Sequence, residues 1–302
     1  MSVMNRDGLL HISLLEGQAR AILTESTAMV QRAKEIHGLS KIATAALGRT
    51  LTATAMLGSM LKGDGESVTA SIRGGGPIGT VLAVANGECT VKGYVDNPAV
   101  DLPRTGPKLP VGAAVGREGR LTVIKDLHLR EPYVGQVNLV SGEIAEDFAM
   151  YFTASEQTPS LVSLGVLVSD ERVESAGGLI VQMMPGAGEA AIRSIESSAG
   201  MFMDISGTMK KYHLEGAVDQ LLLHLQPQVL ERREIRYACD CSRERIERAL
   251  VALGARELED MISEQHGAQV ECHFCNKRYA FDEDDLKALL ASAQAGAKTM
   301  RK

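Results

Sequence analysis

Apolar and polar positions change period several times along this chain, and each change predicts an element. Residues Gly17 to about Ile36 read as a helix that His37-Gly38 ends, and a second helix runs from Ser40 to about Lys62. The second carries Ala43, Ala46, Thr50, Ala53 and Leu57 on one face, small side chains that let a helix lie close against a sheet, so it should be buried. From Glu66 the period becomes two. Val68, Ala70 and Ile72 alternate with polar neighbours, and 80–84 and 90–95 continue the alternation, which predicts an antiparallel sheet. Gly74-Gly75-Gly76-Pro77 divides the first two strands; no Gly-Lys-Ser/Thr follows and a strand comes next, so the run is a hairpin turn and not a phosphate cradle. Residues 96–117, with Pro98, Pro103, Pro107 and Pro110, read as an irregular loop. Strands resume at 120–124 and 135–140, a helix runs from Ser141 to about Thr153, and 161–168 and 178–184 complete the strands. Glu143, Glu146 and Asp147 cluster at that helix start, where acidic side chains suit the helix dipole and no other feature suggests a substrate site.

After Pro185-Gly186 the pattern weakens. Ala191, Ile192 and Ile195, then Val218, Leu221, Leu222 and Leu225, keep a helical period, but Gly200, Gly207, Gly216 and Pro227 interrupt it. Such a segment docks on the preceding domain when ordered and is a candidate for cooperative local unfolding, the plainer alternative being a permanently packed helical layer. Beyond it, Ser242 can cap a helix from Arg243 to Leu253 that Gly254 ends, and Glu257 to Gln265 forms another, stopped by Gly267. Residues 268–271 and 278–281 alternate as a hairpin, Asp282 can cap a last helix through Leu290, and Ala291–Lys302 reads as frayed. The fold class is therefore α+β: an N-terminal domain of antiparallel sheet packed with helices over 1–184, a metastable helical linker over 185–236, and a small C-terminal zinc-binding module over 237–302.

Composition narrows the function. The 302 residues allow about two domains. With 45% hydrophobic residues, no tryptophan and 4% aromatics, the core must be large and aliphatic. A formal net charge of −6 argues against non-specific nucleic-acid binding, which depends on clustered Lys and Arg. Met1–Asp7 lacks the basic-then-apolar pattern of a signal peptide, and the longest uncharged helical run, 50–61, is too short to cross a bilayer. A cytoplasmic protein with no membrane partner is the expectation.

The chemistry is concentrated in cysteines. Four of the five fall in two clusters, Cys239-Asp240-Cys241 and Cys272-His273-Phe274-Cys275, and two thiol pairs brought together supply the ligands of a closed tetrahedral zinc site. Reducing conditions in the cytosol favour metal over permanent disulfides. Most structural zinc sites separate their cysteines by two to four residues, whereas only Asp240 lies between the first pair; that spacing suits a site able to close into a disulfide once the metal is gone. A core as small as that of 237–302 supplies roughly 3–5 kcal/mol, while structural zinc supplies about 10–16 kcal/mol in small peptides. Without zinc the module should unfold. Arg243, Arg245, Lys277 and Arg278 lie near the sulfurs in sequence and would offset their charge. His266 and His273 could replace a sulfur on the metal, but with four cysteines at hand both read as surface residues, and Cys89, at no ligand position, reads as a small buried or half-buried strand residue.

The paired clusters at this distance, together with Ser13-Leu14-Leu15-Glu16-Gly17-Gln18-Ala19-Arg20-Ala21, residues 135–147 and Ser155-Glu156-Gln157-Thr158-Pro159-Ser160, resemble the heat shock protein 33 family of redox-regulated bacterial chaperones over nearly the whole chain. The resemblance implies that Cys239, Cys241, Cys272 and Cys275 hold one zinc ion in a reduced, inactive form. It further implies that peroxide or hypochlorous acid, with unfolding conditions, closes disulfides Cys239–Cys241 and Cys272–Cys275. Zinc release, disorder of the module and linker, dimerisation and ATP-independent holding of unfolding client proteins would follow. From the residues alone four cysteines permit three pairings; the pairing within each cluster is what the family implies. Two other readings compete: a zinc ribbon with constitutive metal for nucleic-acid or protein binding, and a thiol oxidoreductase using Cys272 and Cys275. The second needs a CxxC at a strand-to-helix turn, and no Ser/His/Asp set, Walker motif or dinucleotide fingerprint appears elsewhere, so no enzyme is expected.

Overall fold

The computed structural model of the chain describes residues 7–299 apart from Thr105, and beyond residue 294 it describes only the backbone of the last helix. The N-terminal stretch examined for a signal pattern, save Asp7, and residues 300–302 lie outside the described residues. The chain divides into two compact units, Met1–Ala238 and Cys239–Lys302.

The first unit begins with a hairpin where the apolar pattern predicted a helix. Strands β1 (Gly8–Leu14) and β2 (Ala19–Glu25) pair antiparallel, with Leu14 opposite Ala19, around a turn at Leu15–Gly17 in which Leu15 and Glu16 take φ of 52° and 54°. Helix α1 is then only Thr27–His37, closed by Gly38 in the left-handed conformation. The expectation of helix from Gly17 failed because this sheet is covered on both faces. Leu9 and Ile22 point into one cluster of buried side chains, and Leu10, Ile12, Ala21 and Leu23 into another. A strand apolar on both sides loses its alternation, and by period alone it cannot be told from a buried helix.

Helix α2 (Lys41–Gly58) is capped by Ser40 Oγ, which accepts from Ala43 N at 3.1 Å, and is buried nearly throughout. Its threonines return their hydroxyls to the helix, Thr50 to Ala46 O at 2.9 Å, Thr52 to Gly48 O at 2.8 Å and Thr54 to Thr50 O at 2.7 Å, so these three hydroxyls sit in the core already paired. Its neighbours come very close. A Cβ at Gly48 would lie 2.7 Å from Val30 Cγ1, and one at Gly178 2.8 Å from Met56 Cε.

The remaining strands form two sheets. β3 (Ser67–Arg73), β4 (Thr80–Asn86), β5 (Thr90–Val95), the short helix α3 (Val111–Val115), β6 (Arg120–Asp126), β7 (Tyr133–Asn138), helix α4 (Ala145–Ala154), β8 (Ser160–Val168) and β9 (Val173–Met183) follow in order. Helices α5 (Glu189–Ser198) and α6 (Ile205–Leu222) and strands β10 (Gln228–Glu234) and β11 (Arg236–Tyr237) complete the unit. One sheet has the order β10-β1-β2-β9-β8 and the other β11-β5-β4-β3-β6-β7. Pairing is antiparallel except for β11 against β5. The side chains of α2 join Val68, Ile72, Val81 and Val123 of the larger sheet and Ile22, Val166 and Ile180 of the smaller in a single buried cluster. The α+β class holds, with α2 as a shared central layer. Residues 96–117, expected to be irregular throughout, contain α3, and Gln228–Glu234, expected to be helical, is an edge strand on β1.

The far face of the smaller sheet is covered by α5 and α6. Ile195, Phe202, Ile205, Met209, Leu214 and Leu222 pack on Leu10, Ile12, Leu14 and Leu23. Helix α6 is two pieces, since His213 has φ 56°. Glu25 steadies the break, accepting from Leu214 N at 3.0 Å and meeting His213 Nδ1 at 2.9 Å.

In the second unit α7 (Arg243–Leu253) is capped by Ser242 and closed at Gly254; α8 (Ala255–Asp260) continues into a π turn at Met261–Gln265, and β12 (Gly267–Glu271) pairs with β13 (Arg278–Asp282). Helix α9 (Glu283–Thr299) is capped by Asp282 Oδ1, which accepts from Asp285 N at 2.9 Å. It carries helix past Ala291, where fraying was expected, through a stretch rich in alanine, the strongest helix former.

Candidate metal centre

The hairpin of β12 and β13 presents the second cysteine pair. Glu271 faces Arg278 in the register, and the turn between them is closed by Cys272 N to Lys277 O at 2.9 Å, Asn276 N to Cys272 O at 2.8 Å and Cys275 N to Cys272 O at 3.2 Å. Asn276 supplies the left-handed residue, φ 57°, that turns the chain back. The CxxC thus sits between two paired strands, not at a strand-to-helix turn. The first pair lies in the residues just ahead of Ser242, outside any helix or strand, and with one intervening Asp240 both of its sulfurs reach those of the hairpin.

All four sulfurs come together. They lie within 4.8 Å of one another, Cys241 Sγ to Cys275 Sγ at 3.3 Å and Cys239 Sγ to Cys272 Sγ at 3.7 Å, and none is bridged. Four ligands at about 2.3 Å from a tetrahedral zinc ion stand about 3.8 Å apart. Disulfide sulfurs stand at about 2.05 Å. The donor set and its spacing fit a zinc ion. Electrostatics point the same way. Burial works against ionisation of Cys239 and Cys275, and the neighbouring sulfurs add to it, so both thiols are pushed above their ordinary range. Burial opposes the Cys241 thiolate too, but hydrogen bonds from Tyr279 and from the other three cysteines outweigh it and bring that thiol down to about 7. Four thiolates this close need a cation among them.

The basic residues expected to balance the sulfurs have other partners. Arg243 Nη2 pairs with Asp285 at 2.6 Å and its guanidinium lies 4.3 Å from the centre of the Phe281 ring; Arg245 pairs with Asp240, and Arg278 Nε with Glu271 at 2.8 Å. Lys277 Nζ stands 5.1 Å over the Tyr279 ring. They brace the frame of the site. His273 is exposed and His266 Nδ1 lies 3.5 Å from Glu283, so the cluster that could hold a metal consists of cysteines. Tyr279 escaped the sequence reading, although alternation in 278–281 places it with Phe281 on the buried face, four residues past Cys275. Cys89 is fully buried, in the turn before β5 and not within a strand, and burial raises its thiol. Of the three acidic residues weighed earlier, Asp147 is fully buried and accepts from Val140 N at 2.7 Å and Ile144 N at 2.9 Å; Glu143 ties Arg49 to Gly112, and Glu146 is exposed. They staple a loop.

A family model described as Hsp33 protein matches residues 7–282. The chain belongs to the Hsp33 family. It is 47% identical over 287 residues to the 33 kDa chaperonin of Clostridioides difficile strain 630, covering 94% of this chain and 99% of that one. With the 33 kDa chaperonin of Acetivibrio thermocellus the identity is 46%, covering 94% and 97%. A crystal structure of the 33 kDa chaperonin (heat shock protein 33 homolog) from Thermotoga maritima matches with a TM-score of 0.85 and 37% identity, covering 95% of this chain and 98% of that one. This Hsp33 family member is accordingly a chaperone, a role that implies client proteins. Among its described residues no helix is long and apolar enough to cross a membrane.

Proposed function

We propose that the chain is a redox-regulated, ATP-independent holdase of the cytoplasm, inactive while its four thiolates hold zinc and active as a dimer once they are oxidised. The observation that carries this reading is the contrast inside the second unit, among the described residues, between four clustered, unbridged sulfurs and a core of five buried side chains, Leu250, Leu258, Tyr279, Phe281 and Leu286. Zinc held by Cys239, Cys241, Cys272 and Cys275 supplies about 10–16 kcal/mol of folding free energy and no redox chemistry of its own. The redox chemistry belongs to the sulfurs. Each disulfide, Cys239–Cys241 and Cys272–Cys275, forms by loss of two electrons, and one peroxide per disulfide takes them up with two protons and leaves as two waters. Sulfurs paired in this way no longer offer thiolate ligands, and a unit so lightly packed unfolds.

The segment 185–236 is proposed to open with it. Support comes from the far face of the smaller sheet, where Leu10, Ile12, Leu14 and Leu23 are covered by that segment's own apolar side chains. Undocking would present a broad aliphatic surface to the exposed apolar segments of unfolding proteins, with affinity from area and little dependence on sequence.

The test follows zinc release with a metallochromic dye while the reduced protein meets peroxide at mild heat, and assays each time point for suppression of aggregation of an unfolded client. Zinc release and holding activity should rise together, and reductant should reverse the activity. Zinc that stays bound, or that leaves with no gain in holding, would replace the switch with a constitutive binding module.

A further inference from the structure

Tyr279 stands where a core residue and the sulfur cluster meet. It is 7% exposed, packs with Leu250, Leu258, Phe281 and Leu286, and lies opposite Val270 in the hairpin register. Its hydroxyl donates to Cys241 Sγ at 3.2 Å, and Cys241 is one of the closest sulfur pair, 3.3 Å from Cys275 Sγ. A tyrosine held by strand pairing and a packed ring has two side-chain torsions to fix, so the direction of its hydroxyl is set by the hairpin and its packing.

We propose that Tyr279 is a positioning residue of the thiolate site: its hydroxyl fixes the direction of the Cys241 sulfur and so strengthens metal binding, and the charge it draws from that sulfur slows the sulfur's attack on an oxidant. Partners of this kind, one bond removed from a ligand, typically contribute 10–100-fold to metal affinity. The same bond lowers nucleophilicity, because a hydrogen-bonded thiolate gives up part of the electron density it would use on a peroxide oxygen. In that step the sulfur–oxygen bond forms, the O–O bond breaks and hydroxide leaves. One hydroxyl would then set how strong an oxidant the site withstands. The effect on oxidation rests on the holdase reading above; the effect on metal binding does not.

The test uses the full-length reduced protein with zinc exchanged for cobalt(II), whose sulfur-to-metal charge-transfer band reports the electron density on the thiolates. Tyr279→Phe, which keeps the ring, should move that band to lower energy, weaken zinc in a chelator competition by about tenfold or more, and speed peroxide-driven zinc release several-fold. Val270→Ala, which thins the same packing and leaves the hydroxyl, should leave the band in place. Equal shifts in both variants, loss of cobalt binding by both, or wild-type bands and affinities in both would each overturn the proposal. If Tyr279→Phe behaves as expected but released zinc brings no holding activity, the redox reading fails and the positioning role stands.

Discussion

The two units of this chain are stabilised in different ways. Among the described residues, the first unit buries clusters of 44 and 18 apolar side chains around α2 and under α5 and α6, and the second buries one of five. A unit as short as Cys239–Lys302 leaves too much of its surface exposed for packing to offset the conformational entropy of ordering the chain. Under the proposed zinc site, its four sulfurs and their metal would take the place of the missing core. The difference teaches where each unit is vulnerable: the first to cavities and buried charge, the second to anything that consumes a thiolate.

The largest effect should come from breaking the metal set. Cys272→Ser removes one of the four proposed ligands and, with it, should remove much of the roughly 10–16 kcal/mol that structural zinc contributes. Hydrogen exchange should show amides of α7, β12, β13 and α9 losing protection while those of α2 stay slow. Protection that persists in the second unit would mean that its packing suffices, and the comparison would collapse.

A smaller effect should separate the two clusters of the first unit. Leu222 and Leu51 are both fully buried, one in each. Truncating either to Ala should cost about 2–5 kcal/mol. Leu51→Ala should lower the protection of the whole unit, because α2 serves both sheets, whereas Leu222→Ala should loosen α5 and α6 and spare α2. Uniform loss in both variants would show that the outer helices are bound into the core and cannot open separately.

The smallest effect concerns pH. Asp7 is 2% exposed and accepts from Ala28 N at 3.0 Å and Met29 N at 2.6 Å at the start of α1; burial, which outweighs those bonds, raises its carboxyl to about 7. A carboxyl raised on folding favours the folded state while protonated. Its contribution should therefore be greatest below about pH 4 and fade as pH climbs to about 7, by on the order of 1–4 kcal/mol. Asp7→Asn should flatten that slope between about pH 4 and 7 in urea unfolding, and an unchanged slope would assign it to other groups.

Legibility followed the physics of each element. The Ser242 and Asp282 caps, the alternation of β3, β4 and β12, and Gly38 and Gly254 as helix stops are local signals, and the structure has them where the residues indicated. Strand β2 reads as helix from its residues alone because its apolar side chains serve two cores at once, so its burial depends on elements far along the chain. Strand β10 was misread for a related reason: it is largely exposed, and its pairing with β1 makes it a strand where no periodicity does.

By itself the sequence determined the α+β character, the Ser242 and Asp282 caps and the two cysteine pairs, because these depend on residues within one turn or hairpin. Only the tertiary structure decided that α2 is shared by two sheets, that α5 and α6 cover the smaller one, that the basic residues near the sulfurs are held by carboxylates and rings, and that the Tyr279 hydroxyl reaches Cys241. Each is a contact between elements distant in the chain, set by competition for the same buried space, and residue spacing along a chain carries no record of which competitor wins.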